Sequence, residues 1–543
     1  MQQALNSLLW LAKNPVVFLL FLLIATGVGL RLFQFGQIPV SLYWDEMAIW
    51  DDAQSIAATG RDMFDRSAWQ PLFISYGDYK LPMYIWLTAP ITFIVHNPQV
   101  GVRFVSLLAG LSMIPGVYFL TRQWNWSTKE SGVATALLAI LPWSIHFSRV
   151  GYESHLAAAL ILWALVCLFQ IVVISQKKWP RLFFAGLTIV LSVAAFYTYF
   201  SVRYVWPVLF CLAVILWWKR FQRFWLLVFS IFIIWLLALV PMFRADFYDA
   251  SNQLRLSTVN VMTQPDRVNQ VNLWRQRAGN TLWSRVLYNQ KTFMAFDLAR
   301  NLGPFFSAEY LFDTGDPNLR HGNGYTGLTW WTTAPLMLFG SILLWKKDRR
   351  VLCFLIGWWL IALLPAAVPL NVPHSLRSLN ALPVLPILSA AGVAWLWQLK
   401  GRKQQLIFTL GMCTLFIEIS MYAFHYFTVY PRLSAPDWQD GYLQLAEYLQ
   451  TFPEEQPIAV RINDDRFYLY YLPESDLPWS EIQKLPSESF KRYQVGNVQF
   501  EQDATRFSGT YVVLPATETD LPGKKPIKTI EGATGEPRFM VYE

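Results

Sequence analysis

Two adjacent carboxylates, Asp45 and Glu46, stand directly after the first long apolar run of the chain. Burying an ionised carboxylate in a membrane costs several kcal/mol of free energy, so at such a boundary the group is either solvated or has a functional role. A positioned Asp can take a proton from a hydroxyl group, which is general base chemistry. The alternative is structural, because the helix dipole favours acidic residues in the first turn of a helix. Both interpretations stay open on these residues alone.

Cationic side chains recur at five turns beside apolar segments. The candidates are Lys80, Arg149, Arg203, Arg320, His321, His374 and Arg377. Each has its own structural alternative: Lys80 can anchor a helix at the interface, and Arg149 can pair with Glu153 one helical turn on. Taken together, cations facing one acidic loop indicate an anionic lipid head group bound beside a general base.

Long apolar segments must position these groups. The chain of 543 residues is 54% apolar and only 15% charged, whereas soluble domains carry roughly 25% charged residues. Segments that are long enough, or nearly long enough, to span a bilayer occur at 15–33, 101–120, 131–148, 155–175, 182–200, 203–218, 224–243, 329–345, 351–368, 378–397 and 406–425. This composition predicts a multi-pass protein of the cell membrane.

Basic residues decide the predicted topology, and the ambiguous segment is 81–95. If this segment does not cross, the basic stretches 122–129, 176–181, 219–223, 346–350 and 400–403 share one side with Lys13. That agrees with the positive-inside rule. We therefore predict eleven spans, a cytoplasmic N-terminus and an extracytoplasmic C-terminus, with 81–95 as a juxtamembrane or re-entrant helix on the outer face. A twelfth span is the alternative.

This topology places every candidate residue on the outer face and the net charge of +8 in short inner loops, so no nucleic-acid partner is predicted. A donor that stays in the outer leaflet and carries a phosphate needs cations for its leaving group. An acceptor hydroxyl needs a carboxylate. The combination favours transfer of a sugar from a polyprenyl-phosphate donor. Nucleotide chemistry would need a nucleotide-binding fold, and no P-loop motif occurs.

Four stretches, WDE, YGDYKLPMYIWL, VRFVSLLAGLSMIPGVYFL and FSRVGYESH, resemble the dolichyl-phosphate-mannose protein mannosyltransferase family. They are also similar to its bacterial relatives, which include the aminoarabinose transferase of lipid A; all are membrane glycosyltransferases of the GT-C class. The resemblance covers roughly residues 15–400. It implies an inverting transferase whose donor is an undecaprenyl- or dolichyl-phosphate-linked sugar and whose acceptor is a hydroxyl group.

The resemblance also implies roles for single residues. Asp45, with Glu46 beside it, matches the acidic residue of the family's first outer loop, which is the catalytic base or its partner. Lys80 matches the basic residue of a Lys/His-Pro-Pro stretch that contacts the donor phosphate, although Leu81 replaces the first Pro. Arg149 matches an outer-loop arginine. The remaining candidates rest on their position. The oligosaccharyltransferase motifs WWDYG and DxD do not occur.

No cofactor is predicted. The four cysteines lie inside apolar runs without metal-ligand spacing, and the missing DxD further weakens the case for a required metal. A divalent metal stays an open alternative.

The predicted fold class is an all-α polytopic membrane domain of the GT-C type over 1–428, with about 11 transmembrane helices and outer-face juxtamembrane helices. Its outer loops are 34–100, where the helix that follows Asp45 is expected to be amphipathic and to end at Gly60, and 244–328, which is expected to be mostly helical. Residues 429–543 mix a helical stretch with short β-rich runs such as PIAVRI and TYVVL. They predict a small α/β extracytoplasmic domain.

Two other functions compete with sugar transfer. A transporter or flippase of lipid-linked saccharides should carry ionisable groups near the middle of several spans and often shows internal repeats. Here the charges cluster at one face, and no repeat is visible. Glu418, within the last span, is expected to pair inside the bundle. The third hypothesis is that the protein is a non-catalytic assembly protein. The sugar, the acceptor and the oligomeric state stay open.

Overall fold

A computed structural model describes residues 14–75, 78–174, 178–245, 265–369, 371–399, 401–452, 458–461, 470, 493–496, 511–517 and 525–543. The chain folds into two compact units. The first unit comprises Met1–Phe33, Ser106–Ser148 and Tyr152–His425. The second unit comprises Gln34–Val105, Arg149–Gly151 and Tyr426–Glu543. The first outer loop and the C-terminal region therefore belong to one unit, and the predicted boundary at 428/429 stays a prediction.

Helices dominate the described part of the chain. In order they are α1 Pro15–Leu32, α2 Trp44–Thr59, α3 Pro82–Thr92, α4 Pro98–Gln123, α5 Thr128–Ala139, α6 Pro142–Phe147, α7 Glu153–Val173, α8 Lys178–Phe196, α9 Val202–Leu216, α10 Trp218–Phe221, α11 Trp225–Ala238, α12 Val240–Phe243, α13 Pro265–Arg277, α14 Leu282–Leu287, α15 Gln290–Leu302, α16 Thr333–Lys347, α17 Arg349–Ala367, α18 Val384–Leu396, α19 Arg402–Phe424, α20 Tyr430–Leu433 and α21 Tyr442–Gln450. Short 3₁₀ turns occur at Gln222–Phe224, Gly303–Phe306, Leu379–Ala381 and Ala435–Trp438, and π turns at Glu309–Asp313 and His425–Val429.

Within the described ranges, eight helical stretches are long and apolar enough to cross a membrane. They are Pro15–Leu32, Pro98–Gln123, Glu153–Val173, Lys178–Phe196, Trp218–Phe243, Arg349–Ala367, Leu379–Leu396 and Arg402–Trp438. The chain is thus a multi-pass membrane protein, as predicted. Each of the eleven predicted segments lies largely in helix. The count of eleven crossings and the orientation of the termini stay predictions.

Segment 131–148, expected as one span, is two helices. α5 ends at Ala139 and α6 begins at Pro142, which has no N–H to continue the ladder. The carbonyl of Ala139 instead accepts a hydrogen bond from the guanidinium of Arg31 in α1. The Arg31 side chain is completely buried. Arg31 also donates to Ser144 Oγ at 2.8 Å and to Ser148 Oγ at 3.0 Å. One cation therefore satisfies the groups that the break exposes.

Helix α3 covers most of segment 81–95 and is short for a membrane crossing. Its 11 residues extend roughly 16 Å at 1.5 Å per residue, about half of the hydrocarbon thickness of roughly 30 Å. Its place on the outer face stays a prediction.

The prediction for α2 was wrong in one respect. Its C-terminal stop is Gly60, as expected, with a left-handed φ of 74° that suits a residue without Cβ. However, eight consecutive residues, 46–53, are buried, so α2 has no solvated face along this stretch. Three of its acidic residues, Glu46, Asp51 and Asp52, are buried inside the second unit, where an ionised carboxylate needs a partner.

The first unit contains a close helix pair. Helices α16 and α18 approach each other at Gly340 and Gly392, where an added Cβ would collide with the facing backbone. Small residues at such crossings are typical of membrane helices. Near the C-terminal end of α19, Glu418 accepts hydrogen bonds from Thr332, so it pairs within the bundle as expected. Helices α13 to α15 confirm the predicted helical content of loop 244–328 in its described part.

The C-terminal region forms the predicted small α/β domain. Its strands are β3 Ile458–Arg461, β4 Tyr493–Gly496, β5 Tyr511–Pro515, β6 Lys528–Glu531 and β7 Pro537–Tyr542, and the hairpin β1 Phe73–Ser75 with β2 Asp78–Lys80 lies earlier in the chain. The sheet order is β4-β3-β5-β7-β6. β3 runs parallel to β4 and β5, whereas β7 runs antiparallel to β5 and β6. The run YLYYL lies almost wholly outside the described residues.

Candidate functional site

Asp45 and Lys80 form an ion pair in the second unit. Asp45 lies in the first turn of α2, and Lys80 ends β2, just before α3. The hairpin register pairs Lys80 with Phe73 and so fixes its direction. The distance from Lys80 Nζ to Asp45 Oδ1 is 2.7 Å. The Lys80 side chain is 9% exposed and that of Asp45 is 39% exposed. A substrate can therefore reach the carboxylate, while the ammonium group is held behind it.

Glu46, one residue further on, is completely buried. Its Oε1 accepts from Arg103 Nε at 2.9 Å and from the Gly151 N–H at 2.7 Å. Its Oε2 accepts from Arg103 Nη2 at 2.9 Å. Arg103 also donates to the carbonyls of Pro39 and Ser41. This bidentate pair ties α2 to α4 and to the segment before α2, so it fixes the place of Asp45.

A second acidic group lies deeper in α2. Asp52 is buried, and burial together with the nearby charge of Asp62 raises the pKa of its carboxyl to about 8, despite the hydrogen bond from the Met63 N–H at 3.2 Å. Asp62 is itself paired with Arg66 Nη2 at 2.6 Å. At neutral pH the Asp52 carboxyl is therefore mostly protonated. It packs in the helix as a neutral group.

Arg149 also lies in the second unit and is completely buried. Its Nη2 donates to the carbonyls of Gln34 at 3.0 Å and Ile38 at 3.2 Å. Its guanidinium carbon lies 5.5 Å from the ring centre of Tyr426 and 5.1 Å from that of Phe427. These contacts are cation–π distances, and they hold a permanent positive charge inside the unit.

The first unit brings together two of the predicted histidines with a carboxylate that the sequence did not single out. His321 Nδ1 lies 3.5 Å from Asp316 Oδ2, and His374 Nδ1 lies 3.9 Å from the same atom. The two imidazole rings stack at 4.5 Å between centres. Each distance exceeds that of an ordinary hydrogen bond. Asp316 is 3% exposed and His321 is 8% exposed.

Hydrogen bonds from the backbone fix Asp316. Its Oδ1 accepts from the Asn318 N–H, and its Oδ2 accepts from the N–H and the hydroxyl of Ser375. Burial alone would raise the pKa of Asp316, but the His321 imidazole, the charge of His374 and the Ser375 N–H outweigh it and lower the pKa to about 2. Burial and the positive charges beside it lower the pKa of His374. The carboxylate is therefore ionised at neutral pH.

The loop that carries Asp316 is shaped by its turn residues. Asp316 and Asn318 each accept from a backbone N–H two residues on, and Asn323 does the same for Tyr325. These are Asx turns. A further tie comes from α6, where His146 Nε2 lies 2.9 Å from the carbonyl oxygen of Arg320.

The other predicted cations of the first unit are partly buried. Arg320 and Arg377 lie close enough for their charges to act on His374. Arg203, in the first turn of α9, lies 4.7 Å from the ring centre of Phe200 and 5.7 Å from that of Phe196. The binding of a donor phosphate by any of these residues stays a prediction.

Two cavities of the first unit concern the candidate site and the helix bundle. One of about 510 Å³ is lined by Asp316, His321 and His374, together with Asn318 and Asn371. The other, of about 450 Å³, lies between α1, α5, α16, α18 and α19, and its walls are almost entirely aliphatic and aromatic.

The structure thus joins Asp45 to Lys80 and His321 to His374, each pair inside one unit. A common pocket for all the predicted residues stays a prediction. Sequence reasoning missed Arg103, Asp316 and Arg31. A charged residue at the edge of an apolar run was a usable signal for Arg31 and Arg103. Nothing in the spacing of Asp316 points to His374, since 58 residues separate them.

No protein-family model matches the chain, and no curated protein matches it in sequence. Solved structures do. ArnT from Cupriavidus metallidurans in the apo state aligns with a TM-score of 0.53 and 11% identity, over 98% of each chain. The same protein bound to undecaprenyl phosphate aligns at 0.51 and 11% identity, over 96% of this chain and 97% of that one.

The archaeal oligosaccharyltransferase AglB from Archaeoglobus fulgidus, in complex with an inhibitory peptide and a dolichol-phosphate, aligns at 0.50 and 13% identity, over 93% of this chain and 70% of AglB. This chain has the fold of ArnT and AglB. The predicted fold class, an all-α polytopic membrane domain followed by a small α/β domain, is confirmed at the level of the fold.

Proposed function

We propose that the protein is an inverting glycosyltransferase that moves a sugar from a polyprenyl-phosphate donor to a hydroxyl acceptor at the outer face of the membrane. The observation that carries the proposal is the Asp45–Lys80 pair, 2.7 Å apart at the start of α2. A half-exposed carboxylate beside a buried cation suits a reaction that removes a proton at one atom and releases a phosphate at another.

In the proposed step, the oxygen of the acceptor hydroxyl attacks the anomeric carbon, and the bond from that carbon to the phosphate oxygen breaks. The hydroxyl proton passes to Asp45, and the polyprenyl phosphate leaves with the bonding electrons. One displacement inverts the anomeric configuration. Lys80 stabilises the charge that develops on the departing phosphate, since a charge-assisted hydrogen bond to a phosphate is among the strongest available.

Glu46 acts in this proposal as a positioning residue. Both of its oxygens already accept from buried donors, Arg103 and the Gly151 N–H. With no exposed surface, the Glu46 carboxylate is out of reach of an acceptor hydroxyl. Arg149, Arg203, Arg320 and Arg377 remain proposed contributors to phosphate binding. His321 and His374 are predicted in the same role.

The fold supports a prenyl donor. ArnT was crystallised with undecaprenyl phosphate and AglB with a dolichol-phosphate, and this chain shares their fold. The aliphatic cavity of about 450 Å³ offers apolar walls to a prenyl chain at membrane depth. Acceptors of protein, lipid or glycan type all carry hydroxyl groups, so the acceptor class is left to the assay.

The decisive experiment supplies purified protein with a panel of polyprenyl-phosphate sugars and measures the release of polyprenyl phosphate. We expect consumption of at least one donor, and we expect Asp45→Asn to reduce the rate by about 10²–10⁴-fold. Asp65→Asn is the matched control, because Asp65 is an exposed acid of the same loop with only a surface pair to Arg61.

Two outcomes would refute sugar transfer. One is that no donor is consumed although the protein is folded. The other is that the lipid-linked sugar crosses the bilayer of proteoliposomes intact, which would establish the flippase alternative.

A further inference from the structure

We propose that Asp316, His321 and His374 form a binding site for a divalent transition-metal ion of the zinc type. Two imidazoles and one carboxylate, brought together from two loops, are a common ligand set for such ions. Their donor atoms all lie within 4.8 Å of one another. The sequence indicated no metal, because the three residues lie in two loops with no recognisable spacing.

The distances suit an ion between the three side chains. Ligands at about 2.0–2.2 Å from a tetrahedral ion lie roughly 3.4 Å apart. The two measured separations from Asp316 Oδ2 are 3.5 Å and 3.9 Å. They exceed hydrogen-bond length and require only a small inward movement for coordination.

The imidazole nitrogens are the second observation. His321 Nδ1 and His374 Nδ1 are both buried, and within the described ranges neither atom has a hydrogen-bond partner. Leaving a buried polar atom without a partner costs about 1–3 kcal/mol. Two such atoms directed at one carboxylate are explained if all three groups share an ion.

The surroundings hold the carboxylate in place for this task. Asp316 is fixed by the Asn318 N–H and by the N–H and hydroxyl of Ser375, and the Ser375 hydroxyl is also 2.7 Å from the carbonyl oxygen of His321. Ser375 therefore ties both loops together next to His374. Hydrogen bonds that orient metal ligands in this way are a regular part of metal sites.

The cavity gives an ion access to the three side chains, and a bound ion would keep a coordination position open for another ligand. The cavity of about 510 Å³ is lined by all three side chains, so three protein ligands would leave a coordination position facing it. Three ligands with one open position are typical of catalytic rather than structural zinc. Arg320 and Arg377 place positive charge near His374 and oppose a bound dication. An anion in the open position would offset them.

The test measures binding directly and does not depend on the sugar-transfer reaction. Full-length protein in detergent, purified through a tag without histidine and stripped with a chelator, is titrated with Zn²⁺. Bound metal is measured by mass spectrometry. We expect one ion per chain. Asp316→Ala, His321→Ala and His374→Ala should each weaken binding by at least about tenfold, whereas His96→Gln, at an exposed histidine, should leave it unchanged.

X-ray absorption at the zinc edge of the unaltered protein keeps the proposal testable if these variants misfold. The expected signal is nitrogen and oxygen coordination with two imidazoles. Absence of stoichiometric zinc, unchanged binding in the three variants, sulfur in the first coordination sphere, or displacement of zinc by an equal concentration of Mg²⁺ or Ca²⁺ would each overturn the site. If the protein binds zinc as expected but transfers no sugar, the metal site is supported and only the proposed function is refuted.

Discussion

Arg103 holds both oxygens of Glu46 at 2.9 Å, and neither side chain is exposed at all. This pair joins α4 to the first turn of α2, directly beside Asp45. We expect Glu46→Gln to lower the free energy of unfolding by about 3–5 kcal/mol, because it leaves a buried guanidinium without its counter-charge. Denaturant titration of the purified protein in detergent measures this loss.

The matched control for this pair is Glu130→Gln, at an exposed capping box, which should cost only about 1 kcal/mol. The double variant Glu46→Gln with Arg103→Met should be less destabilised than the sum of the single variants, because no buried charge remains. A loss below about 1 kcal/mol in Glu46→Gln would show that the pair does not stabilise α2.

Lys80 is expected to affect the donor more than the fold. Its pair with Asp45 is partly exposed, and such pairs contribute about 1 kcal/mol or less to stability. If Lys80 contacts the donor phosphate, Lys80→Met should weaken binding of a polyprenyl phosphate by about 10–100-fold, since hydrogen bonds to charged groups contribute about 1.5–3 kcal/mol. Binding to protein in nanodiscs measures this, and Lys80→Arg should restore part of it. Equal affinities for Lys80→Met and the unaltered protein would exclude the contact.

Asp52 should make stability depend on pH. Its pKa is about 8 in the folded chain against an ordinary value of 3.8, so the folded chain holds a proton that the unfolded chain releases between these values. The contribution of Asp52 to stability is then greatest below its ordinary pKa of 3.8 and falls as the pH rises towards 8, by up to about 1.4 kcal/mol per pH unit. Asp52→Asn keeps an acceptor for Met63 but removes this slope.

The free energy of unfolding at pH 5 and pH 8 tests the effect of Asp52. The advantage of Asp52→Asn over the unaltered protein should be larger at pH 8 than at pH 5. Asp65→Asn, at an exposed position, should leave the slope as it is. Parallel pH profiles for the unaltered protein and Asp52→Asn would contradict a raised pKa.

Arg31 is expected to stabilise the junction between α5 and α6. Arg31→Met removes the donor to the Ala139 carbonyl and to the hydroxyls of Ser144 and Ser148. We expect a loss of about 2–4 kcal/mol in the free energy of unfolding, because a buried carbonyl is left without a partner. Arg31→Lys should recover little, since one ammonium cannot reproduce the geometry of the guanidinium.

The measurement for Arg31 is again denaturant titration in detergent, with Arg122→Met as a control. Arg122 lies in the last turn of α4 and donates to the carbonyl of Trp126 near the surface, so the loss of stability should be smaller. Equal effects of the two substitutions would mean that Arg31 does not serve the α5–α6 break.

Part of the fold followed from local sequence. The apolar runs predicted the membrane helices because a lipid environment requires long stretches without charge and satisfies the backbone only in regular structure. Gly60 marked the end of α2, and the β-rich runs PIAVRI and TYVVL marked two strands of the C-terminal sheet. The break inside 131–148 was not predicted, although Pro142 was a local signal for it.

The candidate site was only partly accessible from sequence. Asp45 and Lys80 were found because both lie at the edge of apolar segments, where a charge is conspicuous. Glu46 has the same sequence signal as Asp45, but the structure buries one and exposes the other. A helix places adjacent residues about 100° apart, so which of two neighbours faces inward depends on what packs against the helix.

By itself, the sequence determined three things: that the protein spans a membrane, which segments are helical, and which charged residues lie at the ends of those segments. The tertiary structure alone decided the partners: Lys80 for Asp45, Arg103 for Glu46, and Asp316 for His321 and His374. The physical reason is that hydropathy and helix signals act over a few neighbouring residues. Ion pairs and ligand sets form between segments whose separation along the chain carries no information about their distance in space.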